Sequence, residues 1–290
     1  MTTHEQGCIL ACIDGSELGN SVVEHAIWLA QTSQLPIKFL HTIEHSHHSE
    51  NAHHEGTITP NMKEHLLDEL SDEERLESKK LIADGKAILA NAKQQAEQAG
   101  LSNIIAKQRH GSLSETLVDL KDEISLVVLG AKGEDHDGNK QGLGSQLEEA
   151  IRAIHSPIFI VKDAFGQPKK MMLAYNGSPT SQQALNQIKQ GQLGDLDLEL
   201  HIVSVHKEQA QAQTLIDEAN TFLANTELRL VTRAIEGETV EELTQYQHHN
   251  QIDITTMGAF SHGKVHGFFF GSCTTEMLLE CNTHFLLIRE

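Results

Sequence analysis

The sequence predicts an α/β fold made of two copies of one doubly wound domain, each with a five-stranded parallel sheet. Two observations carry this prediction. The first is a repeat that runs in the same order through both halves: residues 9–30 parallel 171–190, and residues 144–162 parallel 271–289. The second is the alternation of strand-like and helix-like runs along each half. Duplication of a single domain explains both features.

Each half reads as five strands separated by four helices. Short apolar runs such as "SLVVLG" at 125–130 are typical of strands buried on both faces of a parallel sheet. The helical stretches carry an apolar stripe, as at Val22, Ala26 and Ala30. Sheets of this kind bind ligands beyond the carboxyl ends of their strands, where the strand order reverses. The turn at 14–16 therefore meets the loop after Gly130 at that edge.

The repeat also sets the domain boundaries. We expect a first domain at 1–165 and a second at 168–290, because Gly166 and Pro168 punctuate the join. The first half is about 34 residues longer between its matching positions, and the excess falls at about 45–78. This insert is rich in histidine and then carries apolar residues at helical spacing, which predicts a short helix. That helix lies over the sheet or at a subunit contact.

Composition excludes several classes of function. The formal net charge of −19 at pH 7 opposes DNA, RNA and anionic membrane surfaces as partners. No apolar run approaches the roughly 20 residues of a membrane span, and the polar start shows no secretory signal. The four cysteines include Cys8 and Cys12, which alternate along one strand face as buried thiols do. Cysteines this sparse, without a CxxC pair, indicate a reducing compartment and a cytoplasmic protein.

Three short motifs occur in order in both halves: "DGS" at 14–16, "LGAKG" at 129–133 and "GS" at 144–145, with related copies in the second half. In this pattern the chain resembles the universal stress protein family in its tandem two-domain form. The resemblance covers nearly the whole chain except the insert. It implies an adenine nucleotide alpha hydrolase-like fold, with the two halves paired through their last strands within one chain. Whether whole chains also form a homodimer stays open.

The same resemblance implies a nucleotide site, because many family members bind ATP or AMP, with Mg, through a G-x2-G-x9-G-(S/T) loop. Asp14 matches the family's aspartate, which meets the metal or a ribose hydroxyl, and Thr42 ends the strand that holds the adenine. In the second half Asn176 replaces that aspartate and Ser261 replaces a loop glycine. The residues assigned to nucleotide binding are Asp14, Thr42, Gly130, Gly133, Gly144, Ser145, Gly258, Ser261, Gly271 and Ser272.

A plain structural turn explains the same glycines. Ser145 and Glu148 form a capping box that stabilises a helix start by about 1 kcal/mol without any ligand. Three carboxylates, at 134, 135 and 137, lie inside the first loop and repel phosphate unless a metal intervenes. The second loop carries Lys264 and two histidines instead, a better setting for phosphate. The sequence leaves open which half binds nucleotide, if either does.

Metal binding and catalysis have weaker support. Clustered histidines suit Zn, Ni or Cu, but a loop without fixed geometry binds such ions adventitiously, so a solvated insert is favoured. Neither a P-loop nor a G-x-S-x-G serine signal occurs. Ser16 is expected to cap the helix that follows it. No residue is assigned to catalysis, and slow ATP hydrolysis is the most that is expected. The weak metal candidates are Asp14, His47, His48, His53 and His54.

The leading functional hypothesis is a cytoplasmic regulatory protein of the stress response that binds ATP or AMP. The alternative is a nucleotide-free scaffold that acts through protein contacts or through another small ligand. A third idea is metal handling by the histidine-rich insert. No nucleic acid and no membrane partner is expected.

Overall fold

The computed structural model describes residues 7–43, 60–132, 145–191, 198–259 and 272–289, with the backbone alone at 60–74, 145–146 and 272. In these ranges ten strands form one continuous sheet, and eight α-helices cover its two faces. The predicted α/β class is confirmed, and the two halves share one sheet through a strand pair at the junction.

The strands are β1 (Cys8–Cys12), β2 (Ile37–Ile43), β3 (Ile104–His110), β4 (Ile124–Gly130), β5 (Ile158–Val161), β6 (Lys170–Ala174), β7 (Glu199–His206), β8 (Arg229–Glu236), β9 (Ile254–Gly258) and β10 (His284–Ile288). The helices are α1 (Gly19–Ser33), α2 (Pro60–Gln98), α3 (Leu113–Leu120), α4 (Ser145–Ala153), α5 (Pro179–Lys189), α6 (Gln209–Leu223), α7 (Thr239–Asn250) and α8 (Ser272–Glu280).

The strand order is β3-β2-β1-β4-β5-β10-β9-β6-β7-β8. Each half is parallel, and its strand order reverses once, between β1 and β4 in the first half and between β6 and β9 in the second. The halves meet where β5 pairs antiparallel with β10, with Phe159 opposite Leu286. This pairing relates the two halves by an approximate two-fold axis, as the resemblance implied for last-strand pairing within one chain.

Two apolar cores fill the two faces of the sheet. One contains residues of α1, α2, α5 and α6, such as Val22 and Ala184. The other contains residues of α3, α4, α7 and α8, such as Leu117 and Met277. Both cores draw on both halves, so burial of apolar surface ties the halves together. Cys8 is buried and Cys12 half-buried, as predicted for thiols on a covered strand face.

The insert departs from the prediction of a separate short helix. Its helical part belongs to α2, which is continuous for 39 residues and becomes the second helix of the first half. Pro60 begins this helix, at a position where the missing N–H costs nothing. Beyond it, α2 contains no proline and a single glycine, so no residue interrupts the helix. Within the described ranges, no helix combines the length and the apolar character needed to cross a bilayer.

Candidate functional site

In the first half a tight turn places Asp14 just beyond β1. Its Oδ1 accepts hydrogen bonds from the backbone N–H of Ser16, at 3.1 Å, and from the Ser16 hydroxyl, at 2.5 Å. The prediction that Ser16 caps the next helix is wrong. The residue before α1 is Leu18, which makes no side-chain cap, and the Ser16 hydroxyl is committed to Asp14. The turn therefore fixes the carboxylate at the carboxyl end of β1.

Gly130 ends β4, the strand next to β1, and lies at the same edge of the sheet. A Cβ added there would lie 3.2 Å from the Lys132 carbonyl oxygen and 3.4 Å from Leu18 Cβ. Close packing of the strand end against the start of α1 thus accounts for this glycine. Thr42, near the end of β2, reaches the same edge, so the topology brings together Asp14, Thr42 and Gly130.

The rest of the first loop lies mainly outside the described residues. Gly133 and Gly144 fall there, while Ser145 is the first residue of α4, where the sequence predicted a helix start. The Glu148 carboxylate lies 3.4 Å from the guanidinium of Arg152, one turn along the helix. The Ser145 half of the predicted capping box is outside what is described.

The second half repeats the turn with a neutral side chain. Asn176 Oδ1 accepts from the backbone N–H of Ser178 at 3.1 Å, as Asp14 does in the first half. Here the serine also caps its helix, since Ser178 Oγ accepts from the N–H of Ser181 at 3.3 Å. Gly177 between them has φ +71°, a left-handed conformation that favours glycine. In both turns a side-chain oxygen accepts from the backbone N–H two residues on, and that side chain is aspartate in the first half and asparagine in the second.

Gly258 ends β9 beside this turn. A Cβ added there would lie 2.8 Å from Thr180 Cβ, so the site requires glycine on steric grounds. The Thr274 hydroxyl donates to the Gly258 carbonyl oxygen at 3.3 Å and ties the first turn of α8 to the strand end. Ser272 is the first residue of α8, whereas Ser261 and Gly271 lie outside the described residues.

Between these elements lies a cavity of about 160 Å³, at the point where the strand order of the second half reverses. Its described lining contains no charged side chain. Burial raises the pKa of the Cys273 thiol, so this side chain is neutral as well. The lining residues are Ala174, Tyr175, Asn176, Ser178, Thr180, Val203, Val205, Thr239, Leu243, Met257, Gly258, Cys273 and Thr274.

Sequence reasoning found Asn176 and Gly258 in this cavity but missed Thr180, Thr239 and Thr274. These threonines stand in the first turns of α5, α7 and α8, which all begin at the same edge of the sheet. The repeat contained a hint of this, because each threonine lies one to three residues after a motif that both halves share. Their convergence depends on strand order, which single motifs do not reveal.

The histidine hypothesis cannot be placed on the structure, because His47, His48, His53 and His54 lie outside the described residues. In the described part of the chain, no three side chains of histidine, cysteine, aspartate or glutamate come together as a metal site would require. Asp14 is thus the one weak metal candidate with a described position.

Comparisons with known proteins agree with this architecture. The model of the universal stress protein family matches residues 8–162. The chain is 31% identical over 285 residues to universal stress protein Slr1230 of Synechocystis, an alignment covering 97% of this chain and 99% of that one. It is 27% identical over 163 residues to universal stress protein YxiE of Bacillus subtilis, which covers 53% of this chain and 97% of the relative.

Among solved structures, a universal stress protein from Archaeoglobus fulgidus superposes with a TM-score of 0.72 at 18% identity. That match covers 98% of this chain and 99% of the other, which shows the shared fold over both halves. The family model, the relative aligned over nearly all of both chains and the shared fold lead to one conclusion: the chain belongs to the universal stress protein family.

Proposed function

We propose that the protein is a regulatory protein that binds an adenine nucleotide, ATP or AMP, at the carboxyl ends of its strands. The observation that carries this proposal is the second-half cavity beside Asn176 and Gly258. It lies at the switch point of a doubly wound sheet, which is where ligands bind in this class of fold. Its described lining is neutral, so it adds no repulsion to an anionic ligand.

The size of the cavity indicates how a nucleotide would lie. At about 160 Å³ it is smaller than the ~300–1,000 Å³ of typical ligand pockets, so it would hold only part of the molecule. Val203 and Val205 in the lining come from β7, the counterpart of the strand that holds adenine in the resemblance. Cys273 and Thr274 come from the start of α8, where unpaired backbone N–H groups attract phosphate. The base therefore sits toward β7 and the phosphates toward α8.

The first half is the matched second candidate, because Asp14 occupies the place of Asn176. The Asp14 carboxylate repels phosphate unless a Mg²⁺ ion lies between them. The neutral Asn176 causes no such repulsion, so binding in the second half does not depend on Mg²⁺. We also place the protein in the cytoplasm, since only four cysteines in 290 residues fit a reducing compartment. We further propose that the two domains span 1–165 and 168–290.

The test is thermal unfolding with and without millimolar ATP, each with and without Mg²⁺. A ligand at 100 times its Kd stabilises by about 2.7 kcal/mol, a shift of several degrees in a chain of this size. Asn176→Asp keeps the turn, because aspartate accepts the same N–H bond, and adds a charge at the cavity. We expect this variant to lose most of the shift in ATP without Mg²⁺.

Asp14→Asn is the matched control, since it makes the opposite change at the equivalent position. If the second half binds the nucleotide, Asp14→Asn keeps the shift of the parent protein. Loss of a Mg²⁺-dependent shift in Asp14→Asn alone would assign the nucleotide to the first half. If ATP does not shift the unfolding temperature of the parent protein, nucleotide binding is wrong and the nucleotide-free scaffold is favoured.

A further inference from the structure

A second cavity, of about 370 Å³, lies where the two halves meet, between α1, α5 and the central strands. It is separate from the candidate nucleotide cavity and shares no lining residue with it. Its volume falls within the ~300–1,000 Å³ typical of small-molecule sites. Most of the wall is apolar, and the large side chains are Trp28, Leu126, Phe159, Met171, Ile254 and Leu286.

The cavity follows the approximate two-fold axis of the molecule. Leu126 of β4 aligns with Ile254 of β9 in the repeat, and both are in the wall. Phe159 likewise aligns with Leu286, its neighbour across the β5–β10 pair. The wall is therefore built by both halves and exists only because they share one sheet.

A departure from this symmetry explains why the cavity is open. Gln187 of α5, in the wall, aligns with His25 of α1 in the repeat. At the His25 position, the ring packs against His284 and Phe165, with ring centroids 4.3 and 4.8 Å away. His284 aligns in turn with Pro157, which lies beside Gln187 in the wall. Aromatic rings fill one side of the axis, and smaller groups leave the other side open.

The polar groups of the wall define what the cavity accepts. Gln187 Oε1 is buried and has no hydrogen-bond partner among the described residues. The wall also contains Ser125 and Ser33, and the Ser33 hydroxyl already donates to the Leu29 carbonyl oxygen at 2.7 Å. No charged side chain is in the described wall. A buried acceptor without a donor costs free energy until a donor reaches it. The wall thus favours a neutral, mainly apolar molecule with one N–H or O–H donor.

We propose that this junction cavity is a binding site for a small, neutral aromatic or alicyclic molecule that donates one hydrogen bond to Gln187 Oε1. The apolar part packs on Trp28, Phe159 and the residues of both central strands. Because both halves form the wall, the ligand stabilises their pairing. The proposal is independent of nucleotide binding, because β6 and β9 line both cavities but contribute different residues to each, near opposite ends of the strands.

The chain offers a direct probe, since Trp28 is its single tryptophan and stands in the wall. In a ¹H–¹⁵N spectrum its indole N–H gives one resonance, which can be followed during titration. The ligands are 4-tert-butylphenol and its methyl ether, 4-tert-butylanisole, which have the same apolar body and differ in the donor. We expect both to shift the resonance, and the phenol to bind roughly five- to a hundredfold more tightly.

Gln187→Leu keeps the volume and removes the acceptor, so the preference for the phenol falls to near onefold. Gln190→Leu makes the same change at an exposed glutamine next to α5 and keeps the preference. Leu126→Phe fills the cavity and weakens both ligands. The proposal is overturned if neither ligand moves the Trp28 resonance, if Gln187→Leu keeps the preference, or if Leu126→Phe binds as the parent does.

Discussion

His25 is a single buried side chain whose surroundings make stability depend on pH. Its Nδ1 lies 2.7 Å from the Ser21 carbonyl oxygen, so Nδ1 carries the proton and Nε2 is the atom that titrates. The ring is fully buried beside Phe159, Phe165 and His284. Burial first, and the neighbouring His284 second, lower the pKa of His25 from 6.5 to about 4. Between these two pKa values, His25 is protonated in the unfolded chain and neutral in the folded protein.

This difference predicts a loss of stability in mild acid. Between pH 7.5 and 5.0 the unfolded His25 gains a proton and the folded one does not, so the free energy of unfolding falls by about 2 kcal/mol. The contribution is complete above pH 6.5 and is lost as the pH falls toward 4. His25→Gln, which installs the residue found at the equivalent position 187, removes it. Urea unfolding at several pH values gives the free energy of unfolding of the parent protein and of His25→Gln. If the two free energies fall in parallel as the pH is lowered, the prediction is wrong.

At the scale of single elements, α2 shows how a helix is fitted to the sheet beneath it. Gly85 is buried in the middle of this helix. A Cβ added there would lie 2.1 Å from Gln108 Nε2 and 2.8 Å from the ring of His41. Gln108 also donates to the Ile82 carbonyl oxygen at 3.3 Å and so links β3 to α2. Glycine at this position lets the helix approach the side chains of β2 and β3 closely.

Gly85→Ala is therefore expected to destabilise the protein, although alanine is the better helix former. The gain in helix propensity is about 1 kcal/mol, whereas overpacking costs about 1–3 kcal/mol. We expect a net loss of up to about 2 kcal/mol in the free energy of unfolding, measured in urea. In a Gln108→Ala background the nearest obstacle is gone and only the His41 ring must shift, so Gly85→Ala should cost clearly less there. An equal loss in both backgrounds would show that the contact with Gln108 does not decide the outcome.

At the scale of the whole molecule, the repeat was enough to predict the architecture and too little to predict the cavities. Buried apolar runs identified the strands, and their order along the chain implied the doubly wound sheet. The repeat also placed Asn176 and Gly258 at one edge. It could not show that Thr239 and Thr274 converge there, because that requires the strand order. Nor could it show that Gln187 faces a cavity while His25 meets rings, since those surroundings combine residues of both halves.

The two halves also exchange helix caps across their junction. Lys162, just after β5, donates to the carbonyl oxygens of Leu278 and Cys281 at the end of α8. Arg289, just after β10, donates to the carbonyl oxygens of Ile151 and Ile154 at the end of α4. Each cation thus satisfies the unpaired carbonyls of the last helix in the other half. The two residues are equivalent in the repeat, so the caps are reciprocal.

These caps predict that the halves unfold together. Hydrogen bonds to charged groups contribute about 1.5–3 kcal/mol each. Part of this gain offsets the cost of burying the Lys162 ammonium group, and the same burial lowers its pKa. We expect Lys162→Met to lower the free energy of unfolding by about 1–3 kcal/mol, and Lys207→Met, at an exposed lysine, to change it by less than about 0.5 kcal/mol.

The single tryptophan, Trp28, reports on the first half, and the only two tyrosines, Tyr175 and Tyr246, report on the second. Because both cores cross the junction, the two signals should move to lower urea together in Lys162→Met. A tyrosine transition that moves alone would mean that the second half unfolds by itself and that the shared sheet does not couple the halves.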